Sequence, residues 1–346
     1  MKILILYMEL AGYVMACLRA LSKIPNVDLM LICWPVNQEA PFEFEEDARI
    51  RKIERDSLSE KELWEKVETF NPNLIFVSGW VDKWYKKIAR YFKKRGIPTI
   101  VGADNQWNQS AKQVLACWLS PILLKPYFSH FWVPGPRQYA FASRLGYDSN
   151  HIKSGFYVAD VPLFMESGMK RELNPTFPKR LIYVGRLVKE KGVEDLLRAF
   201  QMVRNEDWEL WLAGTGPLQE KASKMNGVKC LGFVQPESLP EVLRKCGTAI
   251  LPSKKEPWGV VLHEYVSSGL PVIVSDSCGA SEYFLRPGYN GLSFEAGNRS
   301  SLIQTLKKLF LYSDGELTVM GRRSRELALQ ITPESWARTL LSVLER

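Results

Sequence analysis

The sequence lacks the marks of several large protein classes. Six cysteines are scattered at positions 17, 33, 117, 230, 246 and 278 with no C-x-x-C pair, and the three histidines, His130, His151 and His263, stand apart from them. This spacing excludes a disulfide framework and the common zinc sites, and it predicts reduced thiols in packed elements and no bound metal. No run of eighteen apolar residues exists; the most apolar stretch, WLSPILLKPYFSHFWV from Trp118, is broken by two prolines, Lys125 and His130. The opening MKILILYMEL has too short an apolar run for a signal peptide, reaches Glu9 at once and offers no convincing cleavage site, so it reads as a buried first strand. Together these absences predict a cytoplasmic chain that does not span a membrane.

What is present is material for two cores. At 346 residues, 46% of them hydrophobic, the chain suits two domains of roughly 150 residues each. Its net charge of +8 favours an anionic partner: a phosphate-bearing substrate, an acidic membrane surface or nucleic acid. No nucleic-acid-binding module accompanies the charge, so nucleic acid is not expected.

Short strand-like runs alternate with helical patterns: KILILY, DLMLICW, LIFVS and TIVGA in the first half, then LIYVG, ELWLAG, VKCLG, TAILP and PVIVS in the second. Alternation of this kind predicts βαβ units and parallel sheets. The Pro- and charge-rich DVPLFMESGMKRELNPTFPKR predicts a linker near residues 164–179, between domains of 1–165 and 176–332. A closing amphipathic helix, about 333–346, could pack anywhere, the first domain included. Two doubly wound domains create a cleft at the carboxyl ends of their strands, where such sheets bind ligands.

Two stretches of the second half carry the chemistry. In LIYVGRLVKEKGVEDLLRAF a strand ends at Val184, and Arg186 and Lys191 fall in the loop before a helix that starts near Val193. Both cations then stand at the carboxyl edge of the sheet, placed for a diphosphate; a merely solvated basic loop is the competing reading. In EPWGVVLHE, residues 256–264, a strand gives way to a helix that begins near Gly259. The amides of Gly259, Val260 and Val261 would face outward at the positive end of the helix dipole, an anion site. Glu264, more than one turn on, is placed to accept hydrogen bonds from a ribose diol, and Glu256, before the helix, from a second sugar. The alternative is a pair of surface acids flanking a helix start.

The order GRLVKEKG, LAGTGP, LGFV, the E-x7-E of Glu256 and Glu264, then GLPVIVSDSCGASEYF resembles the carboxyl-terminal domain of retaining glycosyltransferases of family 4 (glycosyl transferases group 1), continuously from about Leu181 to Leu306. The resemblance implies the α/β GT-B fold, with two Rossmann-like doubly wound domains facing an interdomain cleft. It implies that Arg186 and Lys191 hold the donor diphosphate and neutralise the leaving group. By the same resemblance Glu264 binds the ribose and Glu256 contacts the donor sugar beside the reacting centre. Gly232, Phe233 and Val234 would border the base. Gly214, with Gly216, matches a nearby glycine turn that either touches the donor or serves the backbone alone. Retention without a divalent metal is also implied, and the chain contains no D-x-D.

The likeness fades in the first half. The family's glycine pair after the first strand is reduced to Gly12 in MELAGYVMA, which either approaches the diphosphate or simply starts a helix. Where many members have His-Asp, the chain reads Ala103-Asp104, leaving Asp104 to orient an acceptor hydroxyl or to cap a turn. Asp160 and Phe164 match a signature at the end of the first domain and read as structural. The stretch VDKWYKKIARYFKKR, residues 81–95, combines an apolar stripe with seven cations and is read either as a membrane-surface helix, bringing the enzyme to the inner face of an anionic membrane, or as a sheet-covering helix. The sequence reading is a retaining glycosyltransferase moving a sugar from a nucleotide-sugar donor to a glycan or lipid-linked glycan of bacterial-type cell-surface polysaccharide synthesis. Its alternatives are another GT-B sugar-nucleotide enzyme, such as an epimerase, and a catalytically silent sugar-nucleotide-binding partner at a membrane.

Overall fold

Runs of branched and aromatic side chains form strands buried on both faces, and the 3.6-residue patterns between them form the helices that cover those faces. The computed structural model describes residues 1–36, 41–173, 176–203 and 205–345. It divides into two units, one of Met1–Val158 with Pro333–Arg346 and one of Ala159–Thr332.

The first unit runs β1 (Lys2–Tyr7), α1 (Gly12–Ser22), β2 (Asp28–Cys33), β3 (Ile50–Glu54), α2 (Glu60–Phe70), β4 (Leu74–Val77), α3 (Lys83–Lys93), β5 (Thr99–Gly102), α4 (Ala111–Leu123), β6 (His130–Val133), α5 (Pro136–Arg144) and β7 (Ile152–Ser154). Its strands are parallel, in the order β3-β2-β1-β4-β5-β6-β7. The central strands β4 and β5 are buried throughout, whereas the edge strand β3, IRKIE, keeps polar side chains outward, which protects its unpaired edge. The order reverses between β1 and β4, so chains leaving these neighbours diverge and open a crevice at their carboxyl ends.

The second unit runs α6 (Val161–Glu172), β8 (Arg180–Val184), α7 (Val193–Met202), β9 (Glu209–Ala213), α8 (Gln219–Ser223), β10 (Val228–Gly232), α9 (Leu239–Arg244), β11 (Thr248–Leu251), α10 (Val260–Ser267), β12 (Val272–Ser275), α11 (Ser281–Phe284), β13 (Gly291–Phe294), α12 (Arg299–Leu309) and α13 (Asp314–Ala328). Six parallel strands lie in the order β10-β9-β8-β11-β12-β13, reversing between β8 and β11. The last helix, α14 (Pro333–Leu341), belongs to the first unit and lies against α1. Buried Trp336 fixes it there, stacking on Trp132 at 4.7 Å and donating its indole N–H to the Phe156 carbonyl at 2.8 Å.

One expectation is corrected, and of two open readings one is favoured. The stretch expected as a linker, 164–179, is largely helix α6, and the units divide at Val158, before the expected boundary at 165; its residues 174 and 175 lie outside the described residues. The Asp160 side chain accepts from the Leu163 amide at 3.3 Å and caps α6, and Pro162 falls in the first turn, where a missing N–H costs nothing. Most of the apolar stripe of residues 81–95 is taken up by the core: Tyr85, Ile88 and Phe92 of α3 are buried, with Trp84 and Tyr91 packed beside them, and Val81 alone of the stripe stays exposed. Those five packed side chains are therefore not available to a membrane. Among the described residues no helix is long and apolar enough to cross one.

Candidate active site

The crevice of the second sheet is built by the loops that leave β8 and β11. After β8 the chain turns at Gly185, and exposed Arg186 is anchored through its carbonyl, which accepts from the buried Tyr183 hydroxyl at 2.9 Å. Lys191 ends a short 3₁₀ turn, and Gly192 starts α7 with φ 71°. A Cβ at 192 would lie 1.9 Å from the Pro252 carbonyl oxygen, so only glycine lets the Lys191 turn approach the loop after β11 this closely.

That loop carries Glu256, which is 8% exposed. The Lys191 ammonium donates to Glu256 Oε2 at 2.7 Å, and the Ser253 hydroxyl donates to the same oxygen at 2.8 Å. The backbone is fixed from β12 outward: Ser275 and Ser277 donate to the Ser253 carbonyl at 2.6 and 2.7 Å, and the Gly279 amide donates to the Glu256 carbonyl at 3.1 Å. The residues expected at the diphosphate and at the donor sugar are thus bonded to each other. Ser253, Ser275 and Ser277 were not legible as site residues, although the first lies three positions before Glu256.

Helix α10 begins at Gly259, whose φ of 92° strains any residue with a side chain and whose added Cβ would press on Glu256 Cγ and Cys278 Sγ at 3.0 and 3.1 Å. Gly259, Val260 and Val261 are half-buried at the helix start, where amides have no intrahelical acceptor, while Leu262, His263, Tyr265 and Val266 are buried. Glu264 lies on the Val260–Val261 face, one turn on, and is half-buried. Burial, and then the Asp160 carboxylate, push its carboxyl up to about 7. Neighbouring His263 is a packing residue. It accepts from the Ala159 amide at 3.1 Å, faces the Ala328 carbonyl at 3.0 Å and stacks on Phe284, and burial lowers it to about 4.

Gly232 ends β10, followed by half-buried Phe233 and Val234. The Gly214 amide donates to the Gly232 carbonyl at 2.6 Å, and a Cβ at 214 would lie 2.0 Å from the Gly185 oxygen. Gly214 thus joins the ends of β8 and β10 through backbone alone; Gly216 is similarly close to the Leu187 carbonyl.

Gly12 and Asp104 belong to the first unit. A cavity of about 470 Å³ lies at the carboxyl ends of β1, β4 and β5, where that sheet reverses, lined by Tyr7, Glu9, Tyr13, Trp80, Asp104 and Tyr157 among others. Gly12 opens α1 beside Tyr13. Burial first, then Tyr13, Asp104 and Glu9, hold the Tyr157 phenol well above its ordinary pKa, a protonated donor in this cavity. None of the tyrosines was legible as a site residue. Among the described residues no cluster of three or more His, Cys, Asp or Glu could hold a metal ion.

Two parallel-sheet Rossmann-like units with crevices at both reversal points define the class: the chain has the GT-B fold of glycosyltransferases. The Anabaena protein HepE, solved in complex with UDP, superposes with a TM-score of 0.72 at 17% identity, covering 99% of both chains. Residues 165–326 match the family described as Glycosyl transferases group 1, a span of just under half the chain. An uncharacterised glycosyltransferase of Methanocaldococcus jannaschii is 30% identical over 132 residues, 36% of this chain and 34% of that protein. The glycogen synthase of Mycobacterium tuberculosis is 32% identical over 127 residues, 34% of this chain and 30% of that protein. The chain thus matches about a third of the length of these curated relatives.

Proposed function

We propose that the chain is a metal-independent, retaining glycosyltransferase that moves a sugar from a nucleotide-sugar donor to a glycan or lipid-linked glycan. The observation that carries this reading is the grouping, at the reversal point of the second sheet, of the Lys191–Glu256 pair with the open start of α10 and Glu264 one turn on. A nucleoside diphosphate sugar needs these groups together: amides and cations for the diphosphate, and a carboxylate for each polyhydroxylated end. Breaking the anomeric bond builds negative charge on the leaving phosphate, which Arg186, Lys191 and the helix amides would stabilise in place of a metal. The similarity of residues 165–326 to group 1 glycosyltransferases supports this, and the UDP held by HepE makes a uridine nucleotide the first donor to try. Asp104 and the Tyr157 hydroxyl of the first-unit cavity are assigned to the acceptor.

Ala103 beside Asp104, where many family members carry histidine, favours a second reading: a sugar-nucleotide-binding protein without turnover. Proton NMR of each nucleotide sugar incubated with the protein in EDTA separates the two. Release of sugar first as the donor's own anomer supports retaining, metal-free chemistry; the opposite anomer, or activity only after adding a divalent metal, contradicts it, and binding without any release supports the second reading.

A further inference from the structure

Helix α4 is built in reverse of a helix that covers a sheet. Its buried position is Ser120, whose hydroxyl donates to the Leu145 carbonyl at 2.8 Å. Val114, Leu115, Trp118, Leu119, Ile122 and Leu123 are all exposed, Trp118 to 82%. At 3.6 residues per turn these six side chains fill one continuous arc of about 180°. An apolar face of this width marks a surface that something covers.

The charge around it names the covering. Residues 71–158 contain twelve Lys and Arg against three Asp and no Glu, a net of +9 in a chain whose total is +8, so the chain's basic excess is concentrated in this segment. Its cations flank α4. Lys112 lies on the helix and Lys125 just beyond it; Lys86 and Arg90 of α3 stand 5.5 and 5.7 Å from the Tyr127 ring, a few residues past the end of α4. The Lys93 ammonium donates to the carbonyls of Lys125 and Phe128, and Arg144 of α5 lies over Trp107, ahead of α4, at 4.9 Å. A second copy of the chain would bring like charge against like. A nucleic acid would meet the cations and leave the leucine and isoleucine face in water.

We propose that α4 lies in the surface of an anionic lipid bilayer, its apolar arc at the acyl boundary, Trp118 at the interface and the surrounding lysines and arginines on the headgroups. Aromatic anchors and clustered cations act together on such surfaces, since each alone binds weakly. The surface shifts the membrane contact expected of residues 81–95 onto a different helix, with α3 supplying charge alone, and it does not depend on the reaction assigned above.

Co-sedimentation of the full chain with phosphatidylcholine vesicles, with and without about 30% phosphatidylglycerol, tests it. Binding is expected to be at least about tenfold stronger to the anionic vesicles and to weaken with salt. Trp118→Ser combined with Ile122→Ser should lose at least about tenfold in binding with little change in melting temperature, since both side chains are exposed. Leu115→Gln with Leu123→Gln repeats the test should the first pair fold poorly. Leu311→Ser, which alters a leucine 85% exposed in the second unit, should bind as wild type. The proposal is overturned if anionic vesicles are not bound, if the α4 variants bind like wild type, or if the chain is a dimer that those variants dissociate.

Discussion

Replacing Lys191 by methionine keeps most of the side chain's volume and removes its charge from a contact of 2.7 Å with Glu256. The carboxylate then keeps the Ser253 hydroxyl but loses its counter-charge while only 10% of its side chain is exposed. Breaking a fully buried pair costs about 3–5 kcal/mol and an exposed one about 0–1 kcal/mol. With the Lys191 side chain 25% exposed, this pair falls between those limits, at about 1–3 kcal/mol. For a unit the size of Ala159–Thr332 that loss lowers the melting temperature by roughly 3–10 °C. Glu256→Gln, and the double variant, complete a cycle by scanning calorimetry. The double variant removes both charges and should be more stable than the two single costs add up to, by about 1–2 kcal/mol. Single costs that add to within about 0.5 kcal/mol would refute the coupling on which the site is built.

Gly192→Ala forces a methyl into the Pro252 carbonyl at a φ of 71°; it should destabilise the chain by about 2 kcal/mol or more in urea titration and weaken nucleotide binding by displacing Lys191. Because the folded state raises the Glu264 carboxyl to about 7 from an ordinary 4.5, it holds a proton there that the unfolded chain has released. The stability this gives is full below about 4.5 and is lost as pH rises through about 7, so melting temperatures of Glu264→Gln should fall less than wild type over that range. A diol donates best to the ionised carboxylate, so affinity for a nucleotide sugar should rise towards neutral pH in wild type and stay flat in Glu264→Gln, as titration calorimetry would register.

The elements that position the second-unit residues were legible because strand, glycine turn and helix succeed one another within about twenty residues, as they do around Gly185–Val193 and Leu251–Val260. What escaped was tertiary. Pro162 and Gly168 make α6 read as a linker, yet its stability comes from the Asp160 cap and the burial of Val161 and Phe164, which no local pattern reports. The apolar residues of α4 have the spacing of a core-facing stripe; only the fold shows Ser120 facing inward instead. The Lys191–Glu256 bond joins residues 65 positions apart, and the Tyr157 environment gathers Glu9, Tyr13 and Asp104 from separate parts of the chain. Such groupings depend on strand order, and the reversal points that create them were expected in kind without their tyrosines and serines.

A thermal-shift series of the purified chain in EDTA with UDP, GDP and ADP and their common sugar conjugates, run beside Lys191→Ala and Glu264→Ala, tests the donor site. A ligand that binds only the folded state raises the midpoint according to its affinity, by an equivalent of about 2.7 kcal/mol at a hundred times its Kd. One nucleotide series is expected to stabilise wild type, and both substitutions to remove the shift. If no nucleotide stabilises it, or if the two variants respond as wild type does, the site is not where Lys191, Glu256 and Glu264 place it.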